Sequence, residues 1–381
     1  MATGPRFTVL IPTRDRCQTL GSAIRSCLAQ DYTDLRIVVS DNCSTDDTSG
    51  LVASFDDPRL RYVRTPRRLS MTGNFEFSLS LVQDDSYIMH IGDDDGLIQD
   101  GVGQVSRIIG DTGTLAVNSA HAVYHWPSSL YTGYANRLIL PFGHGYCRVS
   151  GLEAAREVIA FRRSYTFLPS TYTGFVAKSV IDAVAAGQTY YASITPDSYS
   201  GFANAGVLDT YIYARRPFAI AGLSGRSNGG SNLTSGDSSE ADRYLVENDL
   251  PTHKGVVYCS KSIPLVVAEA FLQARDRVPR LGVIDLDVIR LCRVALRDAA
   301  PENYALVRDA VATIAERRGL AVSVPVAPTF SQKLARDVDR NRLRLRRLRE
   351  GYRRIDARTY DIDDVAAAAR LARELLGPLD T

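Results

Sequence analysis

The chain reads SYIMHIGDDDG over residues 86–96, so an apolar run ends abruptly in three consecutive aspartates. The apolar part has the length and composition of a buried strand. Three adjacent carboxylates repel one another, and a divalent cation holding a diphosphate would relieve that repulsion, because Mg²⁺ and Mn²⁺ bind hard oxygen ligands. A solvated acidic turn between two glycines explains the same residues about as well when they are considered alone.

The first 125 residues alternate between patterns typical of strands and of helices. Apolar runs at residues 7–11, 35–40 and 60–63 predict strands like the one at 87–91, and amphipathic stretches between them predict helices. This order indicates βαβ units and a largely parallel sheet. Because ligands bind beyond the carboxyl ends of such strands, Asp15, Asp41 and the three aspartates should share one crevice. Further along, the spacing predicts a helix over residues 207–214.

Length and composition predict one large core with a smaller appended unit, since the chain has 381 residues, 45% of them hydrophobic. No apolar run reaches the roughly 18 residues of a membrane-spanning helix, and the start lacks the apolar core of a signal peptide. Six cysteines without CxxC spacing indicate neither a zinc site nor a disulfide framework. We therefore expect a cytoplasmic protein, and the net charge of +2 gives no reason to expect nucleic-acid binding.

Residues 333–354 contain ten basic and three acidic side chains. Val338, Leu345 and Tyr352 recur at heptad spacing, as do Leu348 and Ile355, which predicts a basic amphipathic helix near 333–355. Such a helix suits peripheral contact with an anionic membrane or self-association with a partner helix. It equally suits packing on its own domain with a solvated arginine face.

Four motifs in the first third resemble the family 2 glycosyltransferases, which share the GT-A fold. They are VLIPTRD at residues 9–15, VVSDNCSTDDT at 38–48, LSMTGN at 69–74 and GDDD at 92–95. The resemblance covers residues 7–120 and fades towards residue 232. It implies a Rossmann-like α/β fold, with a mixed, mostly parallel sheet flanked by helices and a helical C-terminal extension. The implied catalytic domain spans residues 1–250, with a nucleotide-binding half at 1–125, an acceptor and sugar half at 126–250, and a helical region at 251–381.

The resemblance also implies a set of site residues. Asp41 would contact the base, Thr13 or Asp15 the ribose, and Asp95 would be the direct ligand of Mn²⁺ or Mg²⁺, with Asp93 as second contact and Asp94 the most replaceable. Asp41 has an alternative role, capping a turn through Asn42 and Ser44. The full set of donor-binding residues is Pro12, Thr13, Asp15, Asp41, Asn74, Asp93, Asp94, Arg226 and Ser227.

Asp197 is the predicted general base, because inverting members of this family carry an aspartate about a hundred residues beyond the metal motif. It lies 102 positions after Asp95, but Pro196 stands where a glutamate often precedes the base. A plain helix N-cap is the alternative for Asp197. Arg226 and Ser227, with Asn228 and Ser231, belong to a Gly-rich loop that either closes over a diphosphate or simply connects two elements.

Together these features predict transfer of a sugar from a nucleotide-diphosphate sugar to an acceptor hydroxyl. The reaction should be metal-dependent, inverting and non-processive, and should serve cell-surface glycan synthesis, with a glycan or lipid-linked glycan acceptor at the inner face of the cytoplasmic membrane. Processive relatives carry a Gln-x-x-Arg-Trp motif, whereas Trp126 is the only tryptophan here. Two alternatives stay open: a sugar-nucleotide pyrophosphorylase, which would usually have a glycine-rich loop at residues 12–15, and a non-catalytic nucleotide-sugar-binding protein.

Overall fold

A computed structural model describes residues 4–227, 246–248, 250–322 and 324–378. Thirteen strands are named here in chain order: β1 (Phe7–Thr13), β2 (Leu35–Asp41), β3 (Leu60–Arg64), β4 (Tyr87–His90), β5 (Gly96–Leu97), β6 (Ala116–Ser119), β7 (Ala122–His125), β8 (Arg137–Pro141), β9 (Tyr146–Ser150), β10 (Phe175–Ala177), β11 (Thr210–Ala214), β12 (Ala219–Leu223) and β13 (Tyr352–Asp356). The α-helices are α1 (Cys17–Leu28), α2 (Thr48–Ala53), α3 (Met71–Ser80), α4 (Gly101–Thr112), α5 (Gly151–Ile159), α6 (Lys178–Ala185), α7 (Pro196–Val207), α8 (Ile263–Arg277), α9 (Val288–Asp298), α10 (Tyr304–Arg317), α11 (Phe330–Arg349) and α12 (Val365–Leu376).

The main sheet has eight strands in the order β3-β2-β1-β4-β10-β6-β11-β9. Six of them run in one direction, and only β10 and β9 run against it. Leu10 packs against one face of the sheet, while Val9 and Ile11 pack against the other. Both faces are covered at the centre of the sheet, which is why β1 is almost continuously buried and apolar, whereas exposed residues recur in the edge strands β3 and β9. The predicted mixed, mostly parallel sheet flanked by helices is confirmed.

A second sheet, with strand order β13-β8-β7-β12-β5, was not predicted. One of its edge strands replaces the end of the predicted basic helix, because α11 ends at Arg349 and Gly351 adopts φ +75°. A left-handed residue stops a helix, and glycine takes that conformation without strain. Tyr352 to Asp356 then pair antiparallel with β8. The helix predicted over residues 207–214 is also wrong: TYIYA at β11 is β-branched and aromatic, as strands favour.

The helices that follow residue 250 complete the core of the α/β unit. One hydrophobic cluster includes side chains of α5, α7, α8, α9 and α10, and the rings of Phe202 and Phe271 lie 5.2 Å apart. This cluster crosses the predicted domain boundary at residue 250. The C-terminal α12 packs on the second sheet through Val365, Ala368 and Leu371. Within the part of the chain that the structure describes, no helix has both the length and the apolarity that a membrane crossing requires.

Candidate active site

A cavity of about 590 Å³ opens at the carboxyl ends of β1 and β4, and we call it the cleft. The first turn of α7 and the apolar side chains Ile263, Val266 and Val267 of α8 form another part of its wall. Of the eleven predicted site residues, nine line the cleft: Pro12, Thr13, Asp15, Asn74, Asp93, Asp94, Asp197, Arg226 and Ser227. Of the five aspartates expected to share one crevice, Asp15, Asp93 and Asp94 line the cleft, whereas Asp41 and Asp95 do not.

Asp93 is buried in the floor of the cleft and has two partners. Thr13 Oγ1 donates to Asp93 Oδ2 at 2.7 Å, and Arg16 Nη1 lies 3.2 Å from Asp93 Oδ1. Burial raises the pKa of the Asp93 carboxyl, and the neighbouring Arg16 guanidinium opposes that rise. Asp93 is therefore already paired with a cation supplied by the protein itself.

Asp94 is held from one side by the start of the segment after β12. Ser224 donates to Asp94 Oδ2 through both its hydroxyl, at 2.6 Å, and its backbone N–H, at 3.2 Å. The indole N–H of Trp126 donates to the Asp94 carbonyl at 2.9 Å. Among the described residues, no donor contacts Asp94 Oδ1, which leaves this oxygen available to a ligand in the cleft.

Asp95 is placed differently from its predicted role as direct metal ligand. It is fully buried and does not line the cleft. Asp95 Oδ2 accepts from the Gly92 N–H at 2.6 Å and the Tyr172 hydroxyl at 2.5 Å, and Asp95 Oδ1 accepts from the Gly222 N–H at 2.7 Å. Burial, and next the charge of Asp94, raise the pKa of Asp95 to about 7. The carboxylate ties the turn after β4 to β12, and three donors already occupy its two oxygens.

Asp41 also lies behind the cleft wall, and the structure shows the turn-capping alternative. Its Oδ1 accepts from the Ser44 N–H at 2.8 Å, and its Oδ2 accepts from the Tyr62 hydroxyl at 2.5 Å. The next residue, Asn42, lines the cleft instead and exchanges two 2.8 Å hydrogen bonds with the backbone of Leu69. Asp41 lies at the end of β2, as predicted, but its carboxylate accepts hydrogen bonds within the turn instead of lining the cleft.

Asp15 and Asn74 line the cleft and also brace the elements around it. Asp15 has φ +54°, and its Oδ1 accepts from the N–H and the hydroxyl of Thr45 at 2.6 and 3.0 Å. Burial would raise the pKa of Asp15, but the Thr45 hydrogen bonds lower it overall. Asn74 binds Ser40 in both directions and so fixes α3 to β2.

Asp197 occupies the second position of α7, after Pro196, and Thr195 stands at the N-cap position. It is therefore not the N-cap, and its half-buried carboxylate faces the cleft. Burial raises the pKa of Asp197, while backbone donors and a hydrogen bond from the Tyr165 hydroxyl partly offset that rise. A carboxylate with a raised pKa, facing a cavity, suits general-base catalysis.

The sequence analysis missed a group of arginines in the cleft. Arg14, Arg16 and Arg68 join Arg226, whose Nη1 donates to the Asp15 carbonyl at 3.1 Å. Glu247 Oε2 lies 2.8 Å from Arg14 Nη1, and its other oxygen pairs with Arg68. Arg14 and Arg16 closely follow the end of β1, so their position could have indicated a role in the cleft. No sequence pattern indicated such a role for Glu247. The predicted loop residues Asn228 and Ser231 lie outside the described residues.

The oxygen ligands in the cleft can hold a divalent cation if a bound nucleotide supplies further ligands. No group of three or more His, Cys, Asp or Glu side chains is arranged to hold a metal in the described part of the chain. Mg²⁺ and Mn²⁺ sites that include a nucleotide need only one or two carboxylates, because phosphate oxygens and water complete the shell. Asp94 Oδ1 meets that requirement, with Asp93 next to it.

Comparison with known proteins finds a family model that matches the first part of the chain. Residues 8–150 match the model of glycosyl transferase family 2. The chain is 34% identical over 97 residues to the GalNAc(5)-diNAcBac-PP-undecaprenol beta-1,3-glucosyltransferase of Campylobacter jejuni, covering 25% of this chain and 31% of that protein. It is 31% identical over 97 residues to the putative colanic acid biosynthesis glycosyl transferase WcaA of Escherichia coli, covering 25% and 34%. The chain thus spans about a third of the length of these curated relatives.

Solved structures resemble the chain over a longer stretch but more distantly. TarS 1-349 of S. aureus in complex with UDP-GlcNAc has a TM-score of 0.47 at 13% identity, over 83% of this chain and 92% of that one. The mannosyltransferase PcManGT of Pyrobaculum calidifontis in complex with GDP-Man and Mn²⁺ has a TM-score of 0.42 at 16% identity, over 83% and 81%.

Proposed function

We propose, from the premise that residues 8–150 belong to the family 2 glycosyltransferases, that the chain transfers a sugar from a nucleotide-diphosphate sugar to an acceptor hydroxyl. The observation that carries the proposal is the set of side chains that line the cleft. One cavity is lined by the carboxylate of Asp94, a set of arginines, and a second carboxylate with a raised pKa at Asp197. Sugar transfer from a nucleotide-diphosphate sugar needs positive groups that stabilise the departing diphosphate and a general base that takes the proton of the acceptor hydroxyl.

The donor lies, in this proposal, along the carboxyl ends of β1 and β2. Pro12, Thr13 and Asp15 border the nucleoside, and Asn42 takes the place at the base that was predicted for Asp41. The guanidinium groups of Arg14, Arg16, Arg68 and Arg226 contact the diphosphate, because a guanidinium offers a planar fork of donors to phosphate oxygens. Ser227 borders the same end of the cleft, while Asp41 and Asn74 hold the surrounding turns in position.

Asp94 would hold Mn²⁺ or Mg²⁺, with phosphate oxygens and water completing the shell, because Thr13 and Arg16 already contact the two oxygens of Asp93, the predicted second contact. When bound, the cation would neutralise negative charge on the departing nucleoside diphosphate. Asp95 supports this site from behind by fixing the turn between β4 and β5 against β12. The predicted order of the three aspartates changes accordingly, since Asp94 was expected to be the most replaceable of them.

Asp197 acts as the general base. As the acceptor oxygen forms its bond to the anomeric carbon, the proton of that hydroxyl passes to the Asp197 carboxylate. The bond from the anomeric carbon to the diphosphate breaks on the opposite face, and its electron pair leaves with the nucleoside diphosphate. This single displacement inverts the configuration at the anomeric carbon.

The acceptor, in this proposal, is a glycan or a lipid-linked glycan, and it approaches past α7 and α8. The apolar wall formed by Ile263, Val266 and Val267 suits an acceptor with an apolar part. The nucleotide-binding half then corresponds to residues 1–125 and the acceptor half to 126–250, with α8 completing it. We place the reaction in the cytoplasm, at the inner face of the membrane, as part of polysaccharide synthesis.

A donor screen tests the proposal. The protein is mixed with single nucleotide sugars, a candidate acceptor extract and Mn²⁺, and the release of nucleoside diphosphate is measured. Asp197→Asn should reduce turnover by about 10² to 10⁴-fold, the usual contribution of a general base, without weakening donor binding by calorimetry. Asp285→Asn, which changes an exposed carboxylate outside the cleft, should leave both unchanged.

Three results would contradict the proposal. Unchanged turnover in Asp197→Asn would remove the general base from Asp197. Donor binding with no release of nucleoside diphosphate under any acceptor condition would favour a non-catalytic nucleotide-sugar-binding protein. Formation of nucleotide sugar from sugar phosphate and nucleoside triphosphate would favour a pyrophosphorylase.

A further inference from the structure

We propose that the solvent-facing side of α11 binds an anionic lipid surface. Five apolar side chains on this side form what we call the α11 stripe, and their exposed fractions run from 41% for Val338 to 81% for Phe330. At 3.6 residues per turn they fall within about 80° of the helix circumference. The members of the stripe are Phe330, Leu334, Val338, Leu345 and Leu348.

The opposite side of α11 is attached to the rest of the protein. Asp339 Oδ2 lies 2.6 Å from Arg297 Nη1 on α9, and Arg336 Nη1 donates to the Ala299 carbonyl at 3.1 Å. The Arg347 guanidinium lies 5.9 Å from the ring centre of Tyr352 on β13. These contacts set the rotation of the helix, so the apolar stripe faces solvent because its polar side faces the body.

Positive charge borders the stripe on both sides. Arg342 and Arg344 are exposed and lie about 40° beyond its two edges, and exposed Lys333 follows on the side of Arg344. The helix as a whole has eight basic and two acidic residues. An apolar face bordered by arginines complements a surface with acyl chains below and anionic headgroups above.

A second copy of the chain fits this side of α11 less well. Leu334, Val338, Asn341, Leu345 and Leu348 follow the spacing of a coiled-coil seam. In a paired coil, however, Arg342 and Arg344 would occupy the positions on either side of the seam, where two helices exchange salt bridges. Like charges would then meet across the interface and repel. An anionic lipid surface would attract the same arginines. We therefore favour the lipid surface over a second copy of the chain.

Vesicle flotation of the full chain tests the inference. The probe is phosphatidylcholine vesicles with or without phosphatidylglycerol, and binding is measured as the fraction that floats at low and at high salt. We expect flotation only with phosphatidylglycerol, weakened by salt because exposed charges are screened. Arg342→Gln with Arg344→Gln should lower the partition coefficient about 30-fold, from roughly 1 kcal/mol per arginine. Leu334→Gln, Leu345→Gln and Leu348→Gln together should lower it at least about 100-fold.

Matched variants separate the stripe from general surface effects. Val283, Leu306 and Val326 are also exposed, and their combined change to Gln should leave flotation unchanged, as should Arg61→Gln with Arg370→Gln. Circular dichroism and melting temperature report whether each variant folds. Light scattering reports a dimer, and a dimer abolished by the stripe variant would overturn the inference in favour of a second copy. It is also overturned if the chain never floats, floats equally on both vesicle types, or floats regardless of the stripe substitutions.

Discussion

Replacing Asp94 and Asp95 separately by Asn should have opposite consequences. Asp95 accepts from two backbone N–H groups, one on each oxygen: Gly92 N–H on Oδ2 and Gly222 N–H on Oδ1. In Asp95→Asn the new NH₂ group faces one of these N–H groups whichever way the amide turns. A buried donor without a partner costs about 1–3 kcal/mol, so the protein should be destabilised by that amount. For a chain of 381 residues, at about 2.1 cal/mol/K of unfolding entropy per residue, that corresponds to a melting temperature roughly 1–4 °C lower.

Asp94→Asn should leave the melting temperature nearly unchanged. The side-chain hydrogen bonds that Asp94 makes within the described residues both go to Oδ2, so the amide oxygen can keep Ser224 while the NH₂ group replaces Oδ1. An amide carries no charge, however, and its NH₂ group is no ligand for a cation. Mn²⁺-dependent binding of nucleoside diphosphate should therefore fall at least about tenfold.

Thermal unfolding and calorimetry, each with and without Mn²⁺, distinguish the two variants. The expected pair is a less stable Asp95→Asn that still binds, and a stable Asp94→Asn that does not. The reverse pair, with Asp95→Asn melting like the unmodified protein but losing Mn²⁺-dependent binding, would show that the reasoning is wrong and that Asp95 is the ligand.

Two further predictions concern the cleft. Tyr165→Phe removes a hydrogen bond that lowers the pKa of Asp197, so that pKa should rise further, because this hydrogen bond favours the ionised carboxylate. A general base works only when ionised, so the acid limb of the pH–rate profile should move to higher pH in Tyr165→Phe. The surface control Tyr360→Phe should not move it. An unshifted limb in Tyr165→Phe would contradict the proposed interaction of Tyr165 with Asp197. Glu247→Gln should tighten donor binding about fivefold by calorimetry, because Glu247 competes with the diphosphate for Arg14 and Arg68. Weaker binding would instead mean that Glu247 positions these arginines for the donor.

Local patterns were enough to predict the half of the sheet that surrounds the site. Strands β1, β2 and β4 are mainly apolar, β3 is a shorter mixed strand, and helices connect them, so the direction of such βαβ units places Thr13, Asp15 and Asp93 at one edge. The second sheet could not be predicted in this way. Its strands β5, β7, β8, β12 and β13 come from segments between residues 96 and 356, and β5 has only two residues. A strand that short has no periodicity of its own and exists only because β12 pairs with it.

The roles of the three aspartates illustrate why residue type and spacing were insufficient within the site. Each carboxylate receives a different donor from a distant segment: Arg16 reaches Asp93 from 77 positions away, Ser224 reaches Asp94 from 130, and Tyr172 reaches Asp95 from 77. Neighbours in sequence thus have unrelated environments, and for this reason the order of the three aspartates predicted from the motif differs from the order proposed from their contacts.

The approach of β12 decides that ranking. Gly222 lies so close to the turn that a Cβ atom there would be 1.7 Å from the Asp94 carbonyl oxygen, so only glycine allows its N–H to reach Asp95. Two residues later, Ser224 reaches the other side of the turn and holds Asp94 Oδ2. The same strand that buries Asp95 therefore occupies only Oδ2 of Asp94 and leaves Oδ1 without a donor among the described residues. Any residue larger than glycine at position 222 would push β12 away and remove the support of both carboxylates at once.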